Sequence, residues 1–339
     1  MKLTNLTPLP LLALAGLVAL SPLASAQSSS QSTAPDFSLI GFATMQGGTT
    51  GGAGGPTNTV STAEEFLAVI KDTEPRTILV SGPIDLAGKG AQINSHKTII
   101  GVGTNAGFIG NVSITDASNI ILRNLHFPMP SAVVRGDGLN TTRAHHLWID
   151  HCSFGHCRDG QFDITQGSDY ITVSWCKFFY TDPAIGHRNS MLIGNRDDTS
   201  ALDSGKLKVT LHHNWWSTLA DQRMPRVRYG DVHIFNNYYN APGNSYCIGL
   251  GCTAHVRLES SSFEGVKSPW RYQGFSDPGC VKGVIQWNND NVFENATLPT
   301  DVPNSTVFTP PYAYKLDAGK DVKTIVTKNA GAGRGPFAL

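Results

Sequence analysis

The segment Arg223–Arg228 places three guanidinium groups within six residues, with Pro225 between the first and second. Such a cluster can grip carboxylates or phosphates, or stabilise negative charge that develops during a reaction. In a regular strand Arg226 and Arg228 would share a face and Arg223 would point the opposite way. Pro225 cannot donate to a strand ladder, so the segment is expected to be a loop flanking a strand. Two His-Cys pairs, His151-Cys152 and His156-Cys157, offer ligand types that zinc takes. His151 also has the side chain of a general base.

The N-terminus decides between thiolate and disulfide chemistry. Residues 1–26 read as a secretory signal peptide, with Lys2 as the only charge, an apolar run from Leu9 to Leu20, and Ala24-Ser25-Ala26 as a cleavage pattern. The run is too short for a membrane span, which needs about 20 apolar residues. A secreted, extracellular protein is therefore expected, with no membrane association. In an oxidising compartment six cysteines favour disulfides over a zinc site. Sequons at Asn111, Asn140, Asn295 and Asn304 would permit glycosylation. The chain of 339 residues balances 26 basic against 26 acidic side chains, and only 15% of its residues are charged. That balance gives no support for nucleic-acid binding, and 40% apolar content excludes a disordered chain.

The elements that must position these side chains form a degenerate repeat. Segments 120–127, 147–154, 171–178, 209–216, 232–239 and 256–263 share the pattern apolar-x-apolar-x-x-x-x-aromatic, and their terminal aromatics are 27, 24, 38, 23 and 24 residues apart. Period-two alternation indicates strands, and their recurrence indicates stacked solenoid coils. The 38-residue gap implies a coil with an inserted loop around Pro183–Ser204. Equivalent positions should stack at strand spacing, about 4.8 Å. Asn214 over Asn237 should then form an amide ladder, and Cys152 over Cys176 is expected to be a disulfide. Cys247 and Cys252 are close enough in sequence to close a second, with Cys157 and Cys280 left over. The same stacking sets His151 near Trp175 and favours a packed structural imidazole over a base; His212 and His213 fit that view. Trp215 and Trp216 read as core or wall. A short helix is expected over Thr62–Asp72, N-capped by Ser61 or Thr62, where it could cover the end of the solenoid. The Pro- and Gly-rich stretch from Pro299 is expected to wrap the outside.

Lys97–Gly103 (KTIIGVG), Asn119–Leu125 (NIILRNL), Trp148–His151 (WIDH), Asp163-Ile164 and Arg223–Gly230 (RMPRVRYG), followed by VHIFNNYY, resemble the pectate lyase/pectin lyase superfamily, polysaccharide lyase family 1. The resemblance runs in order from about Gly41 to Gly283. It implies an all-β fold, a right-handed parallel β-helix, and cleavage of homogalacturonan by β-elimination, with Ca²⁺ required in the pectate-lyase branch. It implies Asp137, Asp159 and Asp163 as calcium ligands, Arg223 as the Brønsted base and Arg228 as a uronate-carboxylate ligand. Arg226 falls where the family varies and reads as surface charge. A lysine that many relatives place at the position of Pro183 is missing; Arg188 or His187 could take over its contact with substrate.

β-Elimination on a uronate needs an acidified C5 proton, a base and a leaving oxygen at C4. A cation bridging protein and substrate carboxylates acidifies that proton. Asp159 and Asp163 would be about 13 Å apart on a straight strand, so a bend at Gly160 is expected. A guanidinium has a pKa above about 12, so an arginine base implies an alkaline optimum. The expected substrate is the polygalacturonate of plant cell walls, bound by a monomer. The acids argue against a pectin lyase acting on methylated polymer, since that branch typically loses them. A hydrolase with paired carboxylates would leave the arginines without a role, and intact Arg223 and Asp163 count against a non-catalytic polysaccharide-binding β-helix.

Overall fold

The computed structural model describes Met1 and residues 35–128, 136–157 and 159–335. The rest of the expected signal peptide, residues 2–26, lies outside the described residues. The chain divides into two units, Met1–Asp36 and Phe37–Leu339, and the fold is that of the second. It is a parallel β-helix. One face is an eight-stranded parallel sheet running from Ala91–Gln92 through Val112–Thr115, Leu139–Thr142, Gly160–Thr165, Asn189–Ile193, Arg226–Val227 and Ile248–Leu250 to Trp270–Tyr272. Two further parallel ladders, joined as one seventeen-stranded sheet, close the other faces. Among the described residues no helix is long and apolar enough to cross a membrane.

The repeat is borne out in register. Leu147 pairs with both Ile120 and Ile171, and the column continues through Val209, Val232 and Val256. The terminal aromatics stack inside the core: Phe127, Phe154, Phe178, Trp216, Tyr239 and Phe263 follow one another at centroid distances of 4.5–5.2 Å with nearly parallel rings. The fifth residue of each repeat has positive φ: Asn124, His151, Trp175, His213, Asn236 and Ser260 all lie between 43° and 57°. One left-handed residue turns the chain sharply between two faces, and its repetition keeps the coils aligned. The next position forms the expected ladder, with Asn214 N donating to Asn237 Oδ1 at 2.8 Å and Cys176 N to Asn214 Oδ1 at 2.9 Å.

Both expected disulfides are overturned. The bridge is Cys252–Cys280, with Cα atoms 5.0 Å apart, and Cys152, Cys157, Cys176 and Cys247 are buried thiols. Cys152 and Cys176 do stack, but side chains on adjacent parallel strands leave the backbone side by side. Cys176 Sγ instead accepts from Cys152 N at 3.4 Å. Cys247 and Cys252 flank the strand Ile248–Leu250, and an extended strand advances about 3.3 Å per residue, which carries its ends apart.

A helix spans Ala63–Val69, with a capping box between Thr62 and Glu65. Its Phe66 packs on Phe108 in the core, centroids 4.4 Å apart with the rings tilted by 31°. The C-terminal stretch also holds an unexpected helix, Gly319–Asn329, whose Val322 and Val326 pack with Tyr238 and Trp215. The segment before it is tied to the left-handed turns, since Asp317 N donates to Asn236 Oδ1.

Candidate active site

Along the eight-stranded sheet, Asn140, Asp163, Leu192, Arg226, Gly249 and Arg271 occupy one register row, each on the next coil. Their strand neighbours Phe162, Ile164, Met191, Ile193 and Val227 belong to the core, so the row faces outward. This row carries the candidate site.

Asp163 sits on the strand Gly160–Thr165, and its Oδ1 accepts from Leu192 N at 3.2 Å. Asp137 lies just before the strand Leu139–Thr142, and its Oδ1 accepts from Gly160 N at 2.8 Å. A Cβ on Gly160 would stand 2.7 Å from Asp163 Oδ1 and 2.9 Å from Asp137 Oδ1. The two carboxylates therefore converge over the Gly160 α-carbon. Gly160 matters because it has no side chain; its φ is not in the left-handed region. Asp159 sits just outside the strand and is exposed, with Oδ1 3.4 Å from His187 Nε2. Among the described residues no three His, Cys, Asp or Glu side chains form a ready-made metal cage. The sequence-expected trio thus resolves into a convergent pair, Asp137 and Asp163, and an outlying Asp159.

Electrostatics mark the pair. Burial, reinforced by Asp159 and opposed by the Gly160 amide and Arg223, pushes Asp137 up to about 6. Burial, then the charge of Asp137, raises Asp163 well above the carboxylate range, against the pull of Arg223 and the Leu192 amide. Two half-buried carboxylates with incomplete countercharge suit a hard cation, because carboxylate oxygens are its preferred donors. The donor set is one that a hard cation such as Ca²⁺ takes, and Asp137 and Asp163 are the residues that would hold it.

Arg223 lies within electrostatic reach of both acids. Its backbone is left-handed, φ 62°, and the Met224–Pro225 peptide is cis. The pairing there runs from Asn189 opposite Gln222 to Leu192 opposite Arg226, so the arginine segment carries one residue more than its neighbour. Such a bulge re-aims a side chain. Met224 and Val227 both join the core, and Arg223 is released from the alternation that would have pointed it inward. Bonds from Met191 N to Arg223 O (2.6 Å) and from Met224 N to Cys247 O (2.7 Å) hold this backbone in place. Arg223 Nε is buried without a hydrogen-bond partner in the structure.

Arg228 is buried and already engaged: Nε donates to Asp197 Oδ1 at 2.7 Å and Nη1 to Gly194 O at 3.1 Å. Asp197 Oδ2 also accepts from Ser276 N, and the Cys252–Cys280 sulfurs lie against its carbonyl. Arg228 and Asp197 border an open hollow of about 560 Å³ with Arg196, Asp198, Ser276 and Asp277. Arg188 donates through Nη1 to Pro183 O at 3.1 Å and lies on the loop that reaches the site, where it and Asp137 both act on Tyr180. His187, not Arg188, touches the acidic cluster.

The WIDH residues lie on another face. His151 Nδ1 is 2.8 Å from Asp150 Oδ2, and its ring stacks on Trp175, centroids 5.8 Å apart. The structural reading of this imidazole holds. Sequence reasoning missed Asp197 and the Leu192 amide. Only Asp197 had a signal, as an acid inside the expected insertion.

A family model described as Pectate lyase matches residues 7–335. A pectate trisaccharide-lyase of Bacillus licheniformis is 35% identical over 320 residues, covering 88% of this chain and 87% of that protein. Pectate lyase E of Dickeya chrysanthemi is 31% identical, covering 88% and 91%. Among solved structures, a pectate lyase from Bacillus sp. N165 in complex with trigalacturonate superposes with a TM-score of 0.72 at 29% identity, covering 88% of this chain and 99% of that one. The family model and these relatives show that the chain belongs to the pectate lyase family.

Proposed function

We propose that the chain is a secreted, calcium-dependent pectate lyase that cleaves de-esterified homogalacturonan by β-elimination, giving 4,5-unsaturated oligogalacturonides. The observation that carries this reading is the convergence of Asp137 and Asp163 over Gly160, with Arg223 in electrostatic reach of both. Calcium, when bound by the two carboxylates, would supply charge withdrawal from the uronate carboxylate and so acidify C5–H.

The remaining work belongs to this chain's residues. Arg223, in its neutral form, takes the C5 proton; the C4–C5 double bond forms as the C4–O bond breaks, and the leaving oxygen takes a proton from water. The bulge at Arg223 supplies orientation, which is worth large rate factors when reacting atoms are held in line. Arg228, fixed by Asp197, offers its remaining N–H groups to a uronate carboxylate.

The test is turnover on polygalacturonate and on highly methylated pectin, with and without EDTA, followed by ultraviolet absorbance of the unsaturated product. Absorbance that rises on polygalacturonate and stops with EDTA is expected. Chelator-insensitive activity on methylated pectin would overturn the reading, and reducing ends without new absorbance would indicate a hydrolase.

A further inference from the structure

Past Arg226 the register row continues through Gly249 to Arg271. Gly249 leaves a gap between the two arginines, which the Tyr246 ring and the Gln273 side chain fill: a Cβ on Gly249 would stand 2.8 Å from Tyr246 Cε2 and 2.9 Å from Gln273 Cγ. The Arg271 guanidinium lies 4.4 Å from the Tyr246 ring centroid, a cation–π contact that fixes a long side chain. The Tyr246 hydroxyl is buried and has no hydrogen-bond partner, and neither has Arg226 Nε. Native structures seldom leave such groups unpaired, so each calls for a partner.

The charge is equally unbalanced. Arg223, Arg226, Arg228 and Arg271 all act electrostatically on Tyr246. Asp197, the carboxylate beside them, is held by Arg228, and among the described residues Arg226 and Arg271 form no salt bridge. Crowded guanidiniums repel one another, and a bound anion relieves them. Adjacent strands lie about 4.8 Å apart, which puts Arg226 roughly 10 Å from Asp163 along the row and Arg271 roughly 10 Å farther. A uronan laid across the strands carries a carboxylate on every sugar and can meet both.

We propose that Arg226 and Arg271, spaced by the Tyr246 ring, form a carboxylate subsite that binds uronate residues remote from the metal-binding pair and favours longer chains. This rests on the pectate-lyase reading. The test is steady-state kinetics on trigalacturonate and hexagalacturonate in calcium for the parent protein, Arg271→Gln and Arg271→Lys. Arg271 is exposed, so neither change disturbs the core. Arg271→Gln is expected to raise KM for the hexamer about tenfold, as loss of one charge-assisted contact does. It should raise KM for the trimer less than half as much, and Arg271→Lys should recover part of the difference. Equal effects on both lengths, or none, would overturn the subsite. If the parent forms no unsaturated product from either oligomer, the pectate-lyase reading fails. Equilibrium binding of the hexamer then decides the subsite separately: tenfold weaker binding by Arg271→Gln supports it and unchanged binding sinks it.

Discussion

Arg228 and Asp197 form a charge-assisted pair at 2.7 Å, with both side chains largely buried. The pair fixes the guanidinium that the family resemblance assigns to substrate, so Asp197 is a positioning residue. Burial alone would raise the Asp197 pKa, but the Arg228 hydrogen bond and the Ser276 amide outweigh it and hold it below its ordinary value. A depressed carboxylate stabilises the fold above the unfolded pKa, near 4, and that contribution fades as pH falls through the folded value. Asp197→Asn should leave Arg228 without its countercharge, raise KM for polygalacturonate about tenfold and change kcat less. Thermal unfolding of the variant should lose the parent's acid-side dependence on Asp197. An unchanged KM would remove Asp197 from the positioning role.

The Asp137–Asp163 pair predicts a pH-dependent metal response. Asp137 is raised from an ordinary 3.8 to about 6, and Asp163 is raised well above its ordinary range in the same direction. Raised carboxylates favour the folded state while protonated: their contribution is present below about pH 4 and is lost as pH rises through about 6 for Asp137. Metal-free protein should therefore lose stability from this pair over that interval, and calcium should restore it, since a cation binds the deprotonated form. Calorimetry should find calcium affinity rising as pH climbs from 5 to 7, with proton release on binding. Asp163→Asn should abolish both the calcium shift in Tm and lyase activity, by about 10²-fold or more. A calcium response surviving in Asp163→Asn would exclude this carboxylate as a ligand.

The core was legible because it repeats. Phe127 through Phe263 occupy one position of every coil, and period-two alternation says which way they face. The left-handed turn at Asn124, His151 and their equivalents was visible as a column, although its φ was not. The site was legible as residue types and not as geometry. Asp159 sits four residues from Asp163, yet a strand start separates them and Asp137 takes the inner place. Arg223 leaves the alternation and comes within electrostatic reach of the acids where the segment carries a single extra residue, and no local pattern announces an insertion of one. Asp197 lies in the inserted stretch, where the repeat gives no frame.

The cysteines offer a direct chemical check on the corrected pairing. In the stack Cys152 and Cys176 are parallel neighbours, and burial, with Cys152 beside it, pushes the Cys176 thiol well up. Neutral buried thiols are poor nucleophiles. The folded protein should therefore resist alkylation. Unfolded without reductant, it should titrate four thiols, with non-reduced peptide mapping joining Cys252 to Cys280. A peptide joining Cys152 to Cys176 would contradict the fold at its central coils.

Gly160 gives the sharpest test of the site, because its contribution is purely the absence of a side chain. A methyl group there would stand 2.7 Å from Asp163 Oδ1 and 2.9 Å from Asp137 Oδ1, distances at which something must move. The backbone is free to accept alanine, since Gly160 does not use the left-handed region. The strand should still form, because Phe162 and Ile164 keep their places in the core. Gly160→Ala should therefore fold while its two carboxylates are forced apart. A displacement near 1 Å at a reacting centre can cost about 10²-fold in rate. We expect kcat/KM on polygalacturonate to fall by about that factor, with calcium affinity weakened in parallel and the metal-free Tm changed little. Parent-like calcium affinity in a folded Gly160→Ala protein would show that the metal does not use the convergent pair, and would move the search for its ligands to Asp159 and the loop carrying His187.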